Sequence, residues 1–307
     1  LCGNTRAQVY HQNGMVVSDH YLASCIGADI LQQGGNAIDA SIATAFALAV
    51  AHPQAGNIGG GGFLVFVNAE GNSTTVDFRE KAPLAASSTM YLDDKGDLIP
   101  GSNHDGLLSV GVPGTVAGLF LAHQKYGSMD WADLVQPAID LAENGFELSF
   151  TLANHARNFF ERSNDTFMKN FFTSSSGSPV GMSETWKQPE LAQTLMRIRD
   201  HGHEGFYRGE TAQILARHMS ANGGIITEED LASYQAIERA PLKGTYKDFD
   251  LITMAPPSSG GATLIQMMNM MELVDWGKIE FNSTEYVHIV AESMRRAYAD
   301  RAEYLGD

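Results

Sequence analysis

Basic residues are scarce in this chain: 20 lysines and arginines face 36 aspartates and glutamates, giving a formal net charge of -16 over 307 residues. A surface of that sign repels phosphate backbones and anionic membranes, which argues against nucleic acid as a partner. Cysteine is scarcer still. Cys2 and Cys25 are the only two, too few for a disulfide framework and not at zinc-ligand spacing. Cys25 falls within a helical stretch and reads as a small core residue. Apolar runs never approach the roughly 18 residues that a membrane span needs, so no span is expected. The ten histidines never form a pattern such as H-E-x-x-H, and no metal site is expected. His201 and His203, the nearest pair, are explained by a turn at Gly202 and Gly205.

With 44% hydrophobic and 18% charged residues, the chain can bury a sizeable core. Its pattern predicts a short strand at Met15–Ser18 and a helix over 20–33 that carries Ala23, Ile26, Ile30 and Leu31 on one side and ends at Gly34-Gly35. A second helix over 37–51 is apolar nearly all round and must be buried on several faces. A hairpin over 63–67 and 74–79 follows, then helices to 126, at 131–135, 137–144, 149–162, 189–201 and 209–221. Residues 163–187 read as a polar surface excursion. A capping arrangement stands at Thr227–Asp230. One strand is predicted over 244–254, and helices over 262–276 and from 282 to 304. Met267, Met268, Met270 and Met271 fit flexible core filling better than a soft-metal site. Ser258 and Ser259 sit in a strand-to-helix turn that lacks the G-x-S-x-G spacing. Glu292, Arg295, Asp300 and Arg301 allow ion pairs along the last helix.

The most informative stretch is Asn57 to Pro83. Its run Gly59–Gly62 could turn amides toward an anion. A strand follows it, however, rather than a helix, and no Lys-Ser/Thr follows, so close packing is the better reading and no cofactor is expected. In the second hairpin strand, alternation sends Val76 and Phe78 to one face and Asp77 and Arg79 to the other. Asp77 and Glu80 flank Arg79 and could hold it still. Two readings stand for Arg79. It is a structural ion-pair partner, or its planar fork grips a carboxylate on a ligand.

The ordered motifs GGNAIDA (34–40), PQAGNIGGGGF (53–63), DFRE (77–80), VPGTVAGL (112–119), PPSSGGATL (256–264) and AYADRAEYLGD (297–307) resemble those of the γ-glutamyltransferase (glutathione hydrolase) large subunit. The resemblance implies an α+β fold of the N-terminal-nucleophile hydrolase type, a four-layer αββα sandwich completed by a separate small subunit. If the chain folds by itself, sheet edges or apolar faces should be exposed. It implies a self-cleaving precursor whose freed threonine attacks the γ-amide of glutathione or another γ-glutamyl donor. The acyl group then passes to water, an amino acid or a dipeptide. Arg79 matches the DFRE arginine that binds the donor's α-carboxylate, with Asp77 and Glu80 as its supports. The threonine is expected on the small subunit, so no catalytic residue is assigned here and the chain alone should be inactive. Residues 1–307 then form a single domain, most of a large subunit, whose first eight residues are a signal-peptide remnant or a disordered start. A periplasmic or secreted location follows. Alternatives are a cephalosporin (glutaryl) acylase of the same fold and a noncatalytic fragment or pseudoenzyme acting as a binding module.

Overall fold

The structure, a computed structural model, describes residues 10–162, 166–174 and 177–305. Cys2 and the stretch 1–8, Ser163, Ser175, Ser176 and the final Gly306-Asp307 lie outside the described residues. In chain order the elements are α1 (Tyr21–Gln32), α2 (Ala37–Ala51), β1 (Phe63–Val67), β2 (Ser73–Asp77), α3 (Thr115–Tyr126), α4 (Trp131–Asn144), β3 (Phe146–Glu147), α5 (Phe150–Arg162), α6 (Thr166–Phe171) and β4 (Thr185–Trp186). There follow α7 (Pro189–His201), α8 (Glu204–Tyr207), α9 (Gly209–Ala221), α10 (Glu228–Ser233), β5 (Ile237–Arg239), β6 (Leu242–Tyr246), β7 (Phe249–Thr253), α11 (Ser259–Glu272) and α12 (Thr284–Tyr304). The chain divides into two compact units: Leu1–Gly61 with Arg79–Gln235, and Gly62–Phe78 with Ala236–Asp307.

The first unit is built around α2. Its alanines let α1 and α4 approach closely while Ile42, Phe46 and Val50 fill the space between them. A Cβ on Gly27 of α1 would strike the Thr44 hydroxyl of α2, so that crossing needs glycine. The start of α2 is a capping box. Asn36 Oδ1 accepts from the amides of Ile38 and Asp39, and Asp39 Oδ2 accepts from the Asn36 amide at 2.8 Å. Asp39 is fully buried and also accepts from the Ser128 amide (2.9 Å), the Ser128 hydroxyl (2.5 Å) and the Met129 amide (3.4 Å). One carboxylate thus caps a helix and clamps the loop between α3 and α4.

Several expectations need correction. Met15–Ser18 is not assigned to a strand; it alternates exposed and half-buried residues, with Val17 82% exposed. The predicted helices at 131–135 and 137–144 are one helix, α4, with Pro137 inside it. Its continuous buried stripe of Leu134, Val135, Ala138, Ile139 and Ala142 outweighs the roughly 3 kcal/mol that an interior proline costs. Part of 163–187 is core, because Trp186 meets Phe171 edge-on at 5.0 Å between ring centroids and stacks on Phe172 at 5.4 Å, and Phe172 and Trp186 are buried. The single strand over 244–254 is the hairpin β6–β7, which turns at Lys247-Asp248 with φ 51° at Lys247.

In the second unit, β1, β2 and β5 form an antiparallel sheet in the order β1-β2-β5. β2 pairs Phe63↔Asp77 on one side and Asp77↔Ile237 on the other. It is covered on both faces at Thr75, Val76 and Asp77. The three-residue β5 was not foreseen, because its Ile-Glu-Arg has no apolar alternation and its pairing partner lies about 160 positions earlier in the chain. Arg239 of β5 reaches diagonally to Asp77 at 2.9 Å, and Thr74 donates to Glu238 at 2.7 Å. Apolar faces are exposed, as expected of the chain by itself: Phe63, Val65 and Val67 along the edge strand β1, Phe249 of β7, and Val287, Met294 and Tyr298 of α12. Among the described residues of α12 only Ser293 and Ala297 are buried. The methionines of α11 are half-buried rather than core, with Met270 bordering an open groove alongside Leu242, Ile265 and Leu273.

Burial alone would push the Asp39 carboxyl upward, but the bonds from the Ser128 hydroxyl and the three amides hold it below the ordinary range. Its stabilisation is therefore full above about pH 4 and lost as pH falls through the lowered value. Asp39→Asn is expected to cost about 2 kcal/mol at pH 7, with the gap to the parent narrowing below about pH 4. Denaturant unfolding across pH checks this, and a gap that stays constant to pH 3 contradicts it. Arg239→Gln should cost roughly 1–2 kcal/mol, less than a fully buried pair, because the Arg239 side chain is 37% exposed. An unfolding midpoint equal to the parent's would refute that.

Candidate functional site

The candidate site grows out of the hairpin and its glycine run. Phe78 exchanges both backbone hydrogen bonds with Gly62, and a Cβ on Gly62 would lie 2.8 Å from the Phe78 ring, so the ring needs glycine beneath it. Gly60 carries out a different task. Its amide donates to Asn57 Oδ1 at 2.9 Å, and its carbonyl accepts from the amides of Gly114 (2.7 Å) and Thr115 (3.1 Å). Asn57 Oδ1 also accepts from the Thr115 hydroxyl at 2.6 Å. The polar groups of Gly60 are thus committed to the Val-Pro-Gly-Thr turn that opens α3, which is the packing role read from the sequence.

β2 ends at Asp77, so the sheet ladder stops short of Arg79. The segment that begins at Arg79 is held by other means. The Arg79 carbonyl accepts from the Tyr234 hydroxyl at 2.7 Å. Lys81 and Val112 exchange backbone bonds of 3.2 and 2.8 Å. Lys81 Nζ donates to the Gln235 carbonyl at 3.2 Å while lying 5.0 Å from the centre of the Tyr234 ring. Three residues further on, the Leu84 amide donates to Asp230 Oδ1 at 2.6 Å. Asp230 Oδ2 accepts from the amide and hydroxyl of Thr227, both at 2.7 Å, closing the capping box of α10. Burial pushes the Asp230 carboxyl up, but the Leu84 and Thr227 donors hold it below its ordinary value.

Tyr234 is buried and stacks on Tyr207, with centroids 5.6 Å apart and planes 9° apart. The Tyr207 hydroxyl donates to the Pro113 carbonyl at 2.8 Å and accepts from the Ala117 amide at 3.3 Å. Burial pushes this phenol far above its ordinary value, so it stays a protonated donor. His203 stacks on the same ring at 4.4 Å, and Gly202, with φ 57°, makes the turn expected between the two histidines.

Arg79 is half-buried on this fixed segment. Glu80 beside it is exposed, and its Cβ would lie 2.8 Å from a Cβ placed on Gly111. Asp77 is nearly buried in the sheet and bonded to Arg239, a partner that sequence reading missed. Tyr234, Tyr207 and the second duty of Asp230 were missed as well. Thr227-x-x-Asp230 is legible as a cap, but nothing in the sequence says that Leu84 shares the carboxylate. Elsewhere, Ser258 caps α11 by accepting from Gly260, and Ser259 accepts from Arg301 at 2.9 Å. The serine turn is thus a helix start. Arg295 and Glu292 form the expected pair at 2.6 Å, whereas Arg301 and Asp300 are turned to α11 through Ser259 and Gln266. Among the described residues no group of three or more His, Cys, Asp or Glu could hold a metal ion, and no helix is long and apolar enough to cross a membrane.

The chain is similar to the glutathione hydrolase proenzyme of Escherichia coli (strain K12), with 44% identity over 303 residues covering 96% of this chain and 51% of that protein. It thus spans about half the length of the curated relatives it matches. Its structure superposes on the gamma-glutamyltranspeptidase of Helicobacter pylori with a TM-score of 0.95 and 45% identity, covering 98% of this chain and 86% of that one. The acylase ACY 1 proenzyme of Pseudomonas sp. (strain SE83) is a more distant relative, 37% identical over 96% of this chain and 54% of that protein. The fold is the α+β, N-terminal-nucleophile hydrolase type of these structural relatives. A family model described as Gamma-glutamyltranspeptidase matches residues 23–307, and the chain belongs to the gamma-glutamyltranspeptidase family.

Proposed function

We propose that this chain is the donor-anchoring large subunit of an enzyme that cleaves the γ-glutamyl amide of glutathione and related compounds. It would form a single intertwined domain with a small subunit cut from the same precursor. The small subunit's N-terminal threonine adds its hydroxyl oxygen to the γ-carbonyl carbon, its own α-amino group taking the proton. The C–N bond then breaks and the proton passes to the departing amine. Water, an amino acid or a dipeptide accepts the γ-glutamyl group from the threonine ester. No residue of this chain makes or breaks a bond in that sequence, and no cofactor takes part. A periplasmic or secreted setting belongs to the same reading.

The observation that carries the proposal is Arg79, a half-buried arginine within Asp-Phe-Arg-Glu on a segment whose backbone is held by Tyr234 and Asp230. In a chain with net charge -16, a donor carboxylate must be met by a locally placed cation, and a guanidinium fork matches its two oxygens. Asp77 and Glu80, which flank that arginine in the motif, are read as its supports. The family and the relatives named as glutathione hydrolases support the γ-glutamyl donor. Two apolar features support the small subunit as partner: the exposed row on β1 and the sparsely buried α12. The relative named as an acylase keeps a glutaryl acylase as the second reading, and comparing turnover of glutaryl and γ-glutamyl substrates separates the two.

In the complete enzyme, Arg79→Ala is expected to raise KM for a γ-glutamyl anilide by about 30-fold or more, the range set by losing about 2–5 kcal/mol of charge-assisted pairing. Steady-state kinetics checks this, and an unchanged KM removes the carboxylate-grip role.

A further inference from the structure

We propose that Tyr234 is a positioning residue for Arg79, with Tyr207 as its support; this deepens the donor-anchoring reading above and rests on it. The argument starts from where the ladder ends. β2 stops at Asp77, so the peptide that follows Arg79 lies beyond that strand. The Tyr234 hydroxyl holds that peptide by donating to the Arg79 carbonyl at 2.7 Å. Fixing that carbonyl fixes the peptide plane on one side of the Arg79 Cα, and so the direction in which its long side chain leaves the backbone. Bidentate recognition is lost when the fork is misplaced by about 1 Å, which a small tilt at the base of so long a side chain produces.

Tyr234 can act as a fixed post because its ring is held by two neighbours. Tyr207 stacks on the ring at 5.6 Å, and the Lys81 ammonium lies 5.0 Å from its centre. Tyr207 is anchored in turn by its hydroxyl, which bridges the Pro113 carbonyl and the Ala117 amide at the start of α3. Both rings are buried, so neither hydroxyl has bulk water as an alternative partner. The line from α3 through two tyrosines to the Arg79 carbonyl is continuous and rigid. Three of its links are hydrogen bonds and one is a ring stack.

The test uses Tyr234→Phe in the complete enzyme, since phenylalanine keeps the stacked ring and removes only the hydroxyl. Kinetics are measured with a γ-glutamyl anilide and with the same donor carrying an α-carboxamide in place of the α-carboxylate. The expected result is a KM about fivefold higher for the carboxylate donor, the factor that one neutral hydrogen bond is worth. Its kcat should stay within about twofold, and the carboxamide donor should show no KM change. Tyr207→Phe should move KM in the same direction by a smaller factor, and it gives the same reading where Tyr234→Phe does not fold. Equal effects on both donors, or no effect on either, overturn the positioning role. Arg79→Ala in parallel separates the two failures. If it too treats the donors alike, the carboxylate grip is wrong; if it distinguishes them while the tyrosine variants do not, only the positioning role is wrong.

Discussion

Two buried carboxylates met by hydrogen-bond donors organise the first unit. The buried carboxylates of this unit, Asp39 and Asp230, accept from N–H and O–H donors. Asp39 and Asp230 show the same device twice. Each is the third residue of its helix, each closes a capping box, and each turns its remaining acceptor capacity to a distant loop. Asp39 takes Ser128 and Met129, and Asp230 takes Leu84. An aspartate suits this better than an asparagine because all of its acceptor sites stay open. The donors more than offset the cost of burial, so both carboxyls are held below the ordinary range. The segment after Arg79 depends directly on the second of these clamps. In the second unit, by contrast, the buried Asp77 takes an arginine, Arg239.

Much of this was legible wherever local pattern and tertiary outcome agree. The alanine-rich 37–51 stretch could only be a buried helix, and the hairpin at 63–79 and the cap at Thr227 followed from alternation and turn chemistry. The candidate Arg79 came from one strand's alternation and the family-like motifs. The failures arise where a contact or a packed face outweighs the local signal. Met15–Ser18 has strand composition but is not assigned to a strand. Pro137 should break a helix, yet the buried stripe on either side of it keeps α4 whole. Lys247-Asp248 is not a strong turn signal, and only the pairing of Tyr246 with Phe249 reveals the hairpin. Tyr234 and Tyr207 look like ordinary core aromatics in sequence. Their roles rest on a hydroxyl meeting a carbonyl 155 residues away and on another 94 residues away.

The second unit poses a different problem. Its sheet satisfies β2 on both sides but leaves β1 as an edge carrying Phe63, Val65 and Val67 at 37–47% exposure. α12 is 21 residues long and buries little beyond Ser293 and Ala297. An edge strand with exposed apolar residues is a pairing surface that stable proteins cover or blunt. Charge does not blunt this one, as the outward residues of β1 are apolar throughout. Under the proposed function the small subunit is the covering surface. Assembly and sheet completion are then the same event.

The division of labour around Arg79 follows from these constraints. A long arginine side chain gives up rotamer freedom when it binds, and only part of that cost can be removed in advance. Under the proposed function, holding the backbone fixed removes the part that belongs to the base of the side chain, while a half-buried Arg79 is spared full desolvation before the donor arrives. The structure does both: the carbonyl is bonded to a buried tyrosine, and the side chain is neither sealed in nor at the open surface. A lysine at this position would keep the charge but lose the planar fork. Fixing the base is useful only for a side chain whose far end is itself directional, which is why a rigid tyrosine post and an arginine belong together.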